Sequence, residues 1–202
     1  MQERAQKTRT RILCAATELF SQRGLNGATV DGIAAAAGVN KQRIYAYFTS
    51  KNKLFEAVLL DVFERVELFS EKTLAKAERH PEKITEIVAD GFLKVHAAHP
   101  DFWRLLAWAN LEGPHCTDTL DHARKKENER LRILHSRAVA DGLIRPVSFE
   151  AWLYTLLAVT YFRYSNELTI SRTLSCIGPL RDFESSLVRE LNNLFTMGMD
   201  KR

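Results

Sequence analysis

The sequence predicts an all-α protein of about nine helices. Apolar residues recur at the three- and four-residue spacing of helices along almost the whole chain, whereas no segment alternates apolar and polar residues as a half-buried strand does. Prolines, glycines and short polar residues mark the places where one periodic stretch ends and the next begins. The composition of the 202 residues, 46% hydrophobic and 27% charged, is typical of a compact globular chain.

The first predicted helix covers residues 8–24 and follows polar residues 1–7, which are expected to be mobile. Its apolar residues, including Ile12 and Phe20, recur at helical spacing. Gly24 is predicted to end it.

Residues 29–53 carry the signals of two short helices joined by a tight turn. Thr29 and Asn40 are residue types that begin helices, because their side chains accept a hydrogen bond from a free backbone N–H group. Gly38 lies between them, where it can adopt a left-handed backbone at no steric cost. Together with the buried side that Ile44 gives to the second helix, this pattern predicts a helix-turn-helix whose small core the first helix completes.

Proline, glycine and polar residues divide the rest of the chain into further helices, separated in one place by a stretch rich in turn-forming residues before residue 180. The predicted helices cover residues 51–77, 81–98, 100–113, 117–141, 149–168 and 180–197. The most apolar segment, residues 151–162, is too short to span a bilayer, which needs about 20 residues. No membrane association is therefore expected.

Charge is unevenly distributed along the chain. Residues 1–55 hold nine Lys or Arg against three acidic residues, whereas the remainder holds 20 against 22. A basic first quarter on a near-neutral remainder indicates that the N-terminal part meets a polyanion, although a solvated basic face explains the charge alone equally well. A non-specific nucleoid-type DNA binder would carry more than the net charge of +4.

Three scattered cysteines, Cys14, Cys116 and Cys176, form no CxxC pair, which favours a reducing compartment over a disulfide framework. The N-terminus has no apolar run that would indicate a secretory signal, so a cytoplasmic protein is expected.

No pattern indicates catalysis or metal binding. The pair His96 and His99, and the group His115, Cys116 and His122, lack the spacing of a zinc site. The sequence has no Gly-rich phosphate loop and no GxSxG motif. We expect no enzyme activity, no catalytic residues, no metal and no cofactor.

The run TVDGIAAAAGVNKQRIYAYFTSKNKLFEAVL is more specific than a bare helix-turn-helix. It resembles the DNA-binding signature of the tetracycline-repressor-like (TetR) family of bacterial transcription regulators. The matching features are Thr29, Ile33-Ala34, Ala37-Gly38-Val39, Ile44-Tyr45, Tyr47-Phe48, Ser50-Lys51, Leu54 and the preceding FSQRG. The resemblance covers about residues 8–60, and beyond it the chain matches only in length and helical character.

This resemblance implies a homodimer that binds a double-stranded DNA operator with two half-sites, and that releases it when a small molecule enters the C-terminal domain. Residues 1–53 would form the DNA-binding domain and residues 54–202 the effector-binding and dimerisation domain. A repressor is favoured, although the residues leave activation, the operator and the effector open. The alternative is a helical small-molecule-binding protein or enzyme with a vestigial DNA-binding unit.

The family motif also implies roles for individual residues. Those expected to face the bases of the major groove are Lys41, Gln42, Arg43 and Ala46. Arg43 could donate two hydrogen bonds to guanine and Gln42 could pair with adenine, each contact discriminating by about 1–3 kcal/mol.

Those expected to contact phosphates or support the recognition helix are Thr29, Tyr45, Tyr47 and Lys51. Packing is an equally good role for Tyr45. Lys51 and Lys53 also lie in the first turn of a helix, where the helix dipole disfavours cations unless a phosphate binds there. The basic residues Lys7, Arg9 and Arg11 could add backbone or minor-groove contacts or simply form a solvated helix start.

An effector cavity needs apolar walls and a few polar groups. Its candidates are Phe92, Trp103, Trp108, Trp152, Tyr161 and Phe162 as walls, with His96, His99, Asn110, Arg163 and Asn166 as polar groups. In the family the last two helices pair across the dimer axis, and the near-heptad leucines expected there are Leu180, Leu187, Leu191 and Leu194. Packing within one chain is the alternative for these leucines.

Overall fold

The computed structural model describes residues 2–113, 120–176 and 182–196, which form ten α-helices, a 3-10 turn at Pro81–Lys83 and no β-strand. The all-α prediction is therefore confirmed. The helices are α1 (Gln2–Gly27), α2 (Val30–Ala37), α3 (Lys41–Phe48), α4 (Lys51–Arg79), α5 (Ile84–Ala98), α6 (Pro100–Glu112), α7 (Asp121–Ala140), α8 (Phe149–Ser165), α9 (Glu167–Ser175) and α10 (Phe183–Phe195).

Two stretches are more helical than the sequence suggested. Helix α1 begins at Gln2, so the polar residues expected to be mobile are helical, with an ion pair of 2.7 Å between Lys7 and Glu3 one turn apart. Helix α9 occupies a stretch predicted to be rich in turns, and it is the helix missing from the predicted nine. It was missed because only Ile170 and Leu174 give this short helix an apolar side. The predicted start of the last helix at Leu180 lies outside the described residues.

The chain forms two compact units. Unit one comprises Met1–Val66 and His99–Ala123, and unit two comprises Glu67–Ala98 and Arg124–Arg202. Helix α4 therefore contributes its first half to unit one and its second half to unit two. The functional division at residue 53 stays a prediction.

The core of unit one joins α1, α2, α3, the start of α4 and α6. Ile12, Ile33 and Ile44 are almost completely buried, and the rings of Phe20 and Phe55 meet edge to face at 5.1 Å. Burial of one such side chain stabilises the fold by about 1.5–3 kcal/mol. The first helix thus completes the core of the two short helices, as expected.

The end of α1 is shaped to receive α6. Gly24 has a left-handed φ of 69°, which interrupts α1, and a Cβ atom there would lie 2.5 Å from the Trp108 ring. The indole N–H of Trp108 donates to the Ser21 carbonyl at 3.3 Å. One turn later Glu112 accepts hydrogen bonds from the backbone and side chain of Asn26.

The core of unit two centres on Trp152, which is fully buried and donates its indole N–H to the Thr85 hydroxyl at 3.1 Å. His135 lies against the rings of Trp152 and Phe149, at 5.0 and 5.6 Å between centroids. Burial lowers the pKa of His135, opposed by the negative charge of Glu150, so its ring is neutral at pH 7.

The helix-turn-helix has the local geometry that its sequence predicts. The Thr29 hydroxyl accepts from the Gly32 N–H at 3.1 Å, and the Asn40 side chain accepts from the Arg43 N–H at 2.8 Å. Gly38 adopts a left-handed conformation (φ 61°, ψ 41°) at the end of α2. These three predictions are confirmed.

Arg11 adds a long-range contact to this turn. Its guanidinium donates to the carbonyls of Ala37 and Gly38, which are groups left without helical partners at the C-terminus of α2. A cation is favourable at this end of a helix. Close approach is possible because position 38 has no Cβ atom, which would lie 2.8 Å from the Arg11 guanidinium.

We expect Gly38→Ala to lower the free energy of unfolding by about 2–4 kcal/mol, because it combines left-handed strain with displacement of Arg11. Gly142→Ala is the matched control, since Gly142 has a φ of 68° and open space around it, and should cost only about 1–2 kcal/mol. Urea titrations of both variants measure the difference. In an Arg11→Ala background Gly38→Ala should cost no more than the control, and an unchanged cost there would contradict the role of Arg11.

Candidate nucleic-acid interface and effector site

Helix α3 presents a polar face to solvent. Ile44 and Phe48 are buried in unit one and fix the orientation of the helix. The exposed residues on its other side include all four predicted to face bases, Lys41, Gln42, Arg43 and Ala46. Local capping by Asn40 and long-range packing by two apolar residues thus hold a row of hydrogen-bonding side chains on one short rigid helix.

Two of these basic side chains differ in their surroundings. The Lys41 ammonium donates to the carboxylate of Asp31 at 3.0 Å, and this hydrogen bond raises the pKa of Lys41. The Arg43 side chain has no hydrogen bond, ion pair or ring contact within the part of the chain that the structure describes. Arg43 is therefore available to a ligand without breaking an internal contact.

Three of the four predicted backbone-contacting residues already make hydrogen bonds inside the protein. Thr29 caps α2, Tyr47 donates its hydroxyl to the Ala5 carbonyl at 3.2 Å, and Lys51 donates to the Ala28 carbonyl at 3.1 Å. Tyr45 is exposed. The Lys51 ammonium keeps two of its three donors and the Thr29 hydroxyl keeps its own hydrogen, so both can still donate to a phosphate. The Tyr47 hydroxyl has already donated its hydrogen to Ala5 and would have to release that carbonyl to donate to a phosphate.

Most basic residues near the N-terminus have internal partners. The Arg9 guanidinium lies over the Phe48 ring at 5.6 Å, and Lys53 pairs with Glu56 at 2.7 Å. Lys7 and Arg11 have the partners described above. Across described residues 2–55, the basic side chains with no such contact are Arg4, Arg23 and Arg43.

The predicted effector residues are divided between the two units. Unit one contains Trp108, which packs against α1, together with Asn110, whose side-chain amide donates to the Leu106 carbonyl at 2.9 Å. His99 and Trp103 also belong to unit one, and the Trp103 ring lies beneath the Arg104 guanidinium at 5.1 Å.

Within unit two, His96 is buried, with the rings of Tyr161 and Tyr164 each at 5.9 Å from its centroid. Burial lowers the pKa of His96 to about 4, so the imidazole is neutral at pH 7. Burial and the hydrogen bond to Glu184 raise the pKa of Tyr164 to about 12. Trp152 is a core residue.

A cavity of about 60 Å³ lies between α4, α5 and α7 in unit two. Phe92 is the one predicted effector residue that lines it. The other residues that line this cavity carry no signal that singles them out in the sequence; they are Ser70, Thr73, Leu74, Val88, Gly91, Val95, Glu127, Asn128 and Leu131. The polar lining residues Ser70, Thr73 and Asn128 lie near apolar residues of the same helices, and this mixture is the one sequence feature that could have indicated a binding site. The sequence of a single helix does not show which face of another helix it packs against.

An open apolar groove of about 350 Å³ lies between α8, α9 and α10. Phe162 and Arg163 line it, and the Arg163 guanidinium reaches Glu167 at 3.6 Å and Glu184 at 3.5 Å. Asn166, also predicted for the effector site, hydrogen-bonds to its neighbour Ser165 at 2.8 Å.

The predicted interface leucines have different surroundings. Leu191 is 5% exposed and belongs to the core of unit two, and Leu187 is partly buried at the groove. Leu194 is 55% exposed. Leu180 lies outside the described residues.

No group of three or more His, Cys, Asp or Glu side chains in residues 2–113, 120–176 and 182–196 is arranged to hold a metal ion. Over the same residues, no helix combines the length and the apolar character needed to cross a membrane.

The family models match both parts of the chain. Residues 12–58 match the model "Bacterial regulatory proteins, tetR family", and residues 81–179 match "Tetracyclin repressor-like, C-terminal domain". The HTH-type transcriptional repressor SCO4008 of Streptomyces coelicolor is 37% identical over 146 residues, which cover 71% of this chain and 69% of that protein. The HTH-type transcriptional repressor NicS of Pseudomonas putida is 32% identical over 188 residues, covering 86% and 83%.

The fold agrees with these sequence matches. The crystal structure of HlyIIR, a hemolysin II transcriptional regulator, superposes with a TM-score of 0.71 at 19% identity, covering 96% of this chain and 99% of that one. The helix-turn-helix and the helical C-terminal part, each matched by its family model, define the class of helix-turn-helix transcription regulators. The chain belongs to the TetR family and is a DNA-binding transcriptional repressor. Members of this family bind DNA operators and typically dimerise.

Proposed function

We propose that the protein inserts α3 into the major groove of a double-stranded operator, with Arg43 and Gln42 reading bases and Lys41 and Ala46 beside them. The observation that carries this proposal is the exposed Arg43 guanidinium, which lies on a helix anchored by the buried Ile44 and Phe48 and has no partner among the residues that the structure describes. Phosphate contacts come from Thr29, Tyr45 and Lys51, and from Tyr47 once its hydroxyl releases the Ala5 carbonyl. Such binding takes place in the bacterial cytoplasm.

The ion pair between Lys41 and Asp31 is weak enough to be broken when DNA binds. Both of its side chains are exposed, and such pairs contribute only about 0.2–1 kcal/mol. A good base contact contributes about 1–3 kcal/mol of discrimination. Lys41 can therefore leave Asp31 for DNA, whereas Arg43 needs no release.

We expect Arg43→Ala to weaken binding to a duplex from the protein's own upstream region by about 5- to 150-fold, which corresponds to about 1–3 kcal/mol. The affinity for a random duplex should fall much less, because on random DNA the Arg43 side chain makes no base-specific hydrogen bonds that could be lost. Fluorescence anisotropy at one salt concentration measures both. Arg23→Ala removes the same charge from an exposed, partnerless position and should leave the discrimination intact. Equal discrimination by wild type and Arg43→Ala would rule out base reading by this residue.

We further propose that two chains pair through α8 and α10. Apolar side chains stand out of successive turns of α8, where Tyr154 is 75% exposed and Leu157 and Phe162 are also exposed. Leu194 adds a fourth from α10. A two-fold interface uses the same patch on both subunits, so one stripe supplies both sides. Of the near-heptad leucines, Leu194 rather than Leu191 has area left for a partner. Two recognition helices would then meet an operator with two half-sites.

We expect Tyr154→Glu to shift the protein toward monomer, because it places a charge in an apolar interface, and to weaken operator binding at the same protein concentration. Sedimentation velocity measures the mass of the assembly. Leu111→Glu is the matched control, since Leu111 is 78% exposed on α6, a helix of unit one that carries none of the proposed interface, and should leave the mass unchanged. A dimeric Tyr154→Glu variant would show that the chains pair elsewhere.

The effector site that we propose is the cavity between α4, α5 and α7. Ser70, Thr73 and Asn128 supply hydrogen-bonding groups, and Phe92 and Leu131 supply apolar walls, which suits a small, partly apolar molecule. An apolar cavity of about 150 Å³ binds a molecule as small as benzene. The cavity of about 60 Å³ must therefore expand to hold most effectors.

Expansion of this cavity displaces the second half of α4 from α5. Because α4 is continuous from Lys51, at the end of the helix-turn-helix, to Arg79, the displacement biases the geometry of the recognition helices. The effector then acts by binding the expanded state more tightly than the DNA-bound state.

Gly91→Ala tests the cavity, because its Cβ would lie 2.7 Å from Thr73 and force that side chain to shift. In a screen of small compounds for release of a fluorescent operator, we expect compounds active on the wild type to lose potency at least tenfold on Gly91→Ala. Operator binding without compound should stay within a few-fold of wild type. Gly142→Ala, at a glycine remote from the cavity, should respond like wild type. A compound releasing all three proteins equally would locate the effector site elsewhere.

A further inference from the structure

We propose that Arg4, near the start of α1, binds a phosphate of the operator backbone and extends the DNA contact beyond the helix-turn-helix. This inference rests on the proposed insertion of α3 into the major groove. It was not foreseen from the sequence, where Lys7, Arg9 and Arg11 were the basic residues expected to add contacts.

The first turns of α1 lie against the recognition helix. The Tyr47 hydroxyl donates to the Ala5 carbonyl at 3.2 Å, and the Arg9 guanidinium covers the Phe48 ring at 5.6 Å. Both aromatic residues belong to the last turn of α3. The backbone next to Arg4 is therefore attached directly to the recognition helix.

The direction of Arg4 follows from helix geometry. Arg4 and Arg11 are seven residues apart, nearly two full turns, so both leave α1 on the same side. Arg11 points from that side to the turn between α2 and α3, where it donates to the Ala37 and Gly38 carbonyls. Arg4 thus lies on the helix-turn-helix side of α1, nearer its N-terminus.

Arg4 differs from the neighbouring basic residues because its side chain has no partner among the described residues. Lys7 is paired with Glu3 at 2.7 Å, Arg9 with an aromatic ring and Arg11 with carbonyls. Arg4 is exposed, and the structure of residues 2–113 gives its guanidinium no partner. The nearby acidic residue, Glu3, is engaged by Lys7. A phosphate can accept two hydrogen bonds from one guanidinium, so Arg4 gains a bidentate partner at no internal cost.

Arg4 lies outside the family match, which begins at residue 12. A guanidinium on a phosphate carries no base information. Arg4 should therefore strengthen binding to operator and random duplexes alike, in contrast to Arg43.

The test compares Arg4→Gln, Arg23→Gln and Arg4→Lys in the full-length protein. Each binding constant, for operator and for random duplex, is measured between 50 and 200 mM salt. We expect Arg4→Gln to make the negative slope of log K against log salt shallower by about 0.9 for each bound protomer, so that the fourfold salt increase weakens binding about 3.5-fold less for each of them. Arg23→Gln, which removes the same charge from the other end of α1, should keep the wild-type slope. Arg4→Lys should restore it.

Equal slopes for Arg4→Gln and Arg23→Gln would overturn the proposal, since only overall charge would then matter. A reduced slope in Arg4→Lys equal to that of Arg4→Gln would also overturn it. Neither result affects the reading of bases, which Arg43→Ala tests separately. A wild-type protein that failed to prefer its operator would instead refute the proposed function.

Discussion

The hydrogen bonds from Arg11 to the end of α2 are the interaction on which the DNA-binding unit depends. They join the first helix to the turn that sets the angle between α2 and α3. Local signals at Thr29 and Asn40 begin each short helix but do not orient one against the other. The long-range guanidinium, with the buried side chains of Ile44 and Phe48, supplies that orientation.

The same unit uses most of its positive charge internally. Lys41, Lys51 and Lys53 each have a carboxylate or carbonyl partner, so the basic composition overstates the charge that is available to DNA. Specificity in such a unit depends less on the number of cations than on which of them the fold leaves unengaged. This explains why sequence charge alone was compatible with a solvated face.

Short-range features were predictable and long-range ones were not. The caps at Thr29 and Asn40 and the left-handed Gly38 depend on residues a few positions away, so the sequence shows them directly. The near-heptad leucines of α10 differ in burial although their spacing is similar: they are Leu187, Leu191 and Leu194. The packing of α5 against α10 decides which of them is buried, and the sequence does not show this packing. Trp108 was expected to line a cavity, but its ring packs against α1 instead. This contact is possible because Gly24, 84 positions earlier, has no Cβ atom. The proposed phosphate contact of Arg4 depends on the hydrogen bond from Tyr47 to the Ala5 carbonyl, a contact between residues 42 positions apart that the sequence does not show.

The break at Gly24 makes α1 two rigid pieces rather than one rod. The short piece after the glycine is tied to α6 through Asn26 and Glu112, while the long piece carries Arg4 and Arg11 to the recognition helix. A residue without a Cβ atom can change its backbone angles at low cost. The Trp108 ring packs directly on this glycine, so the angle between the two pieces of α1 depends on a contact that lies apart from every DNA-facing side chain.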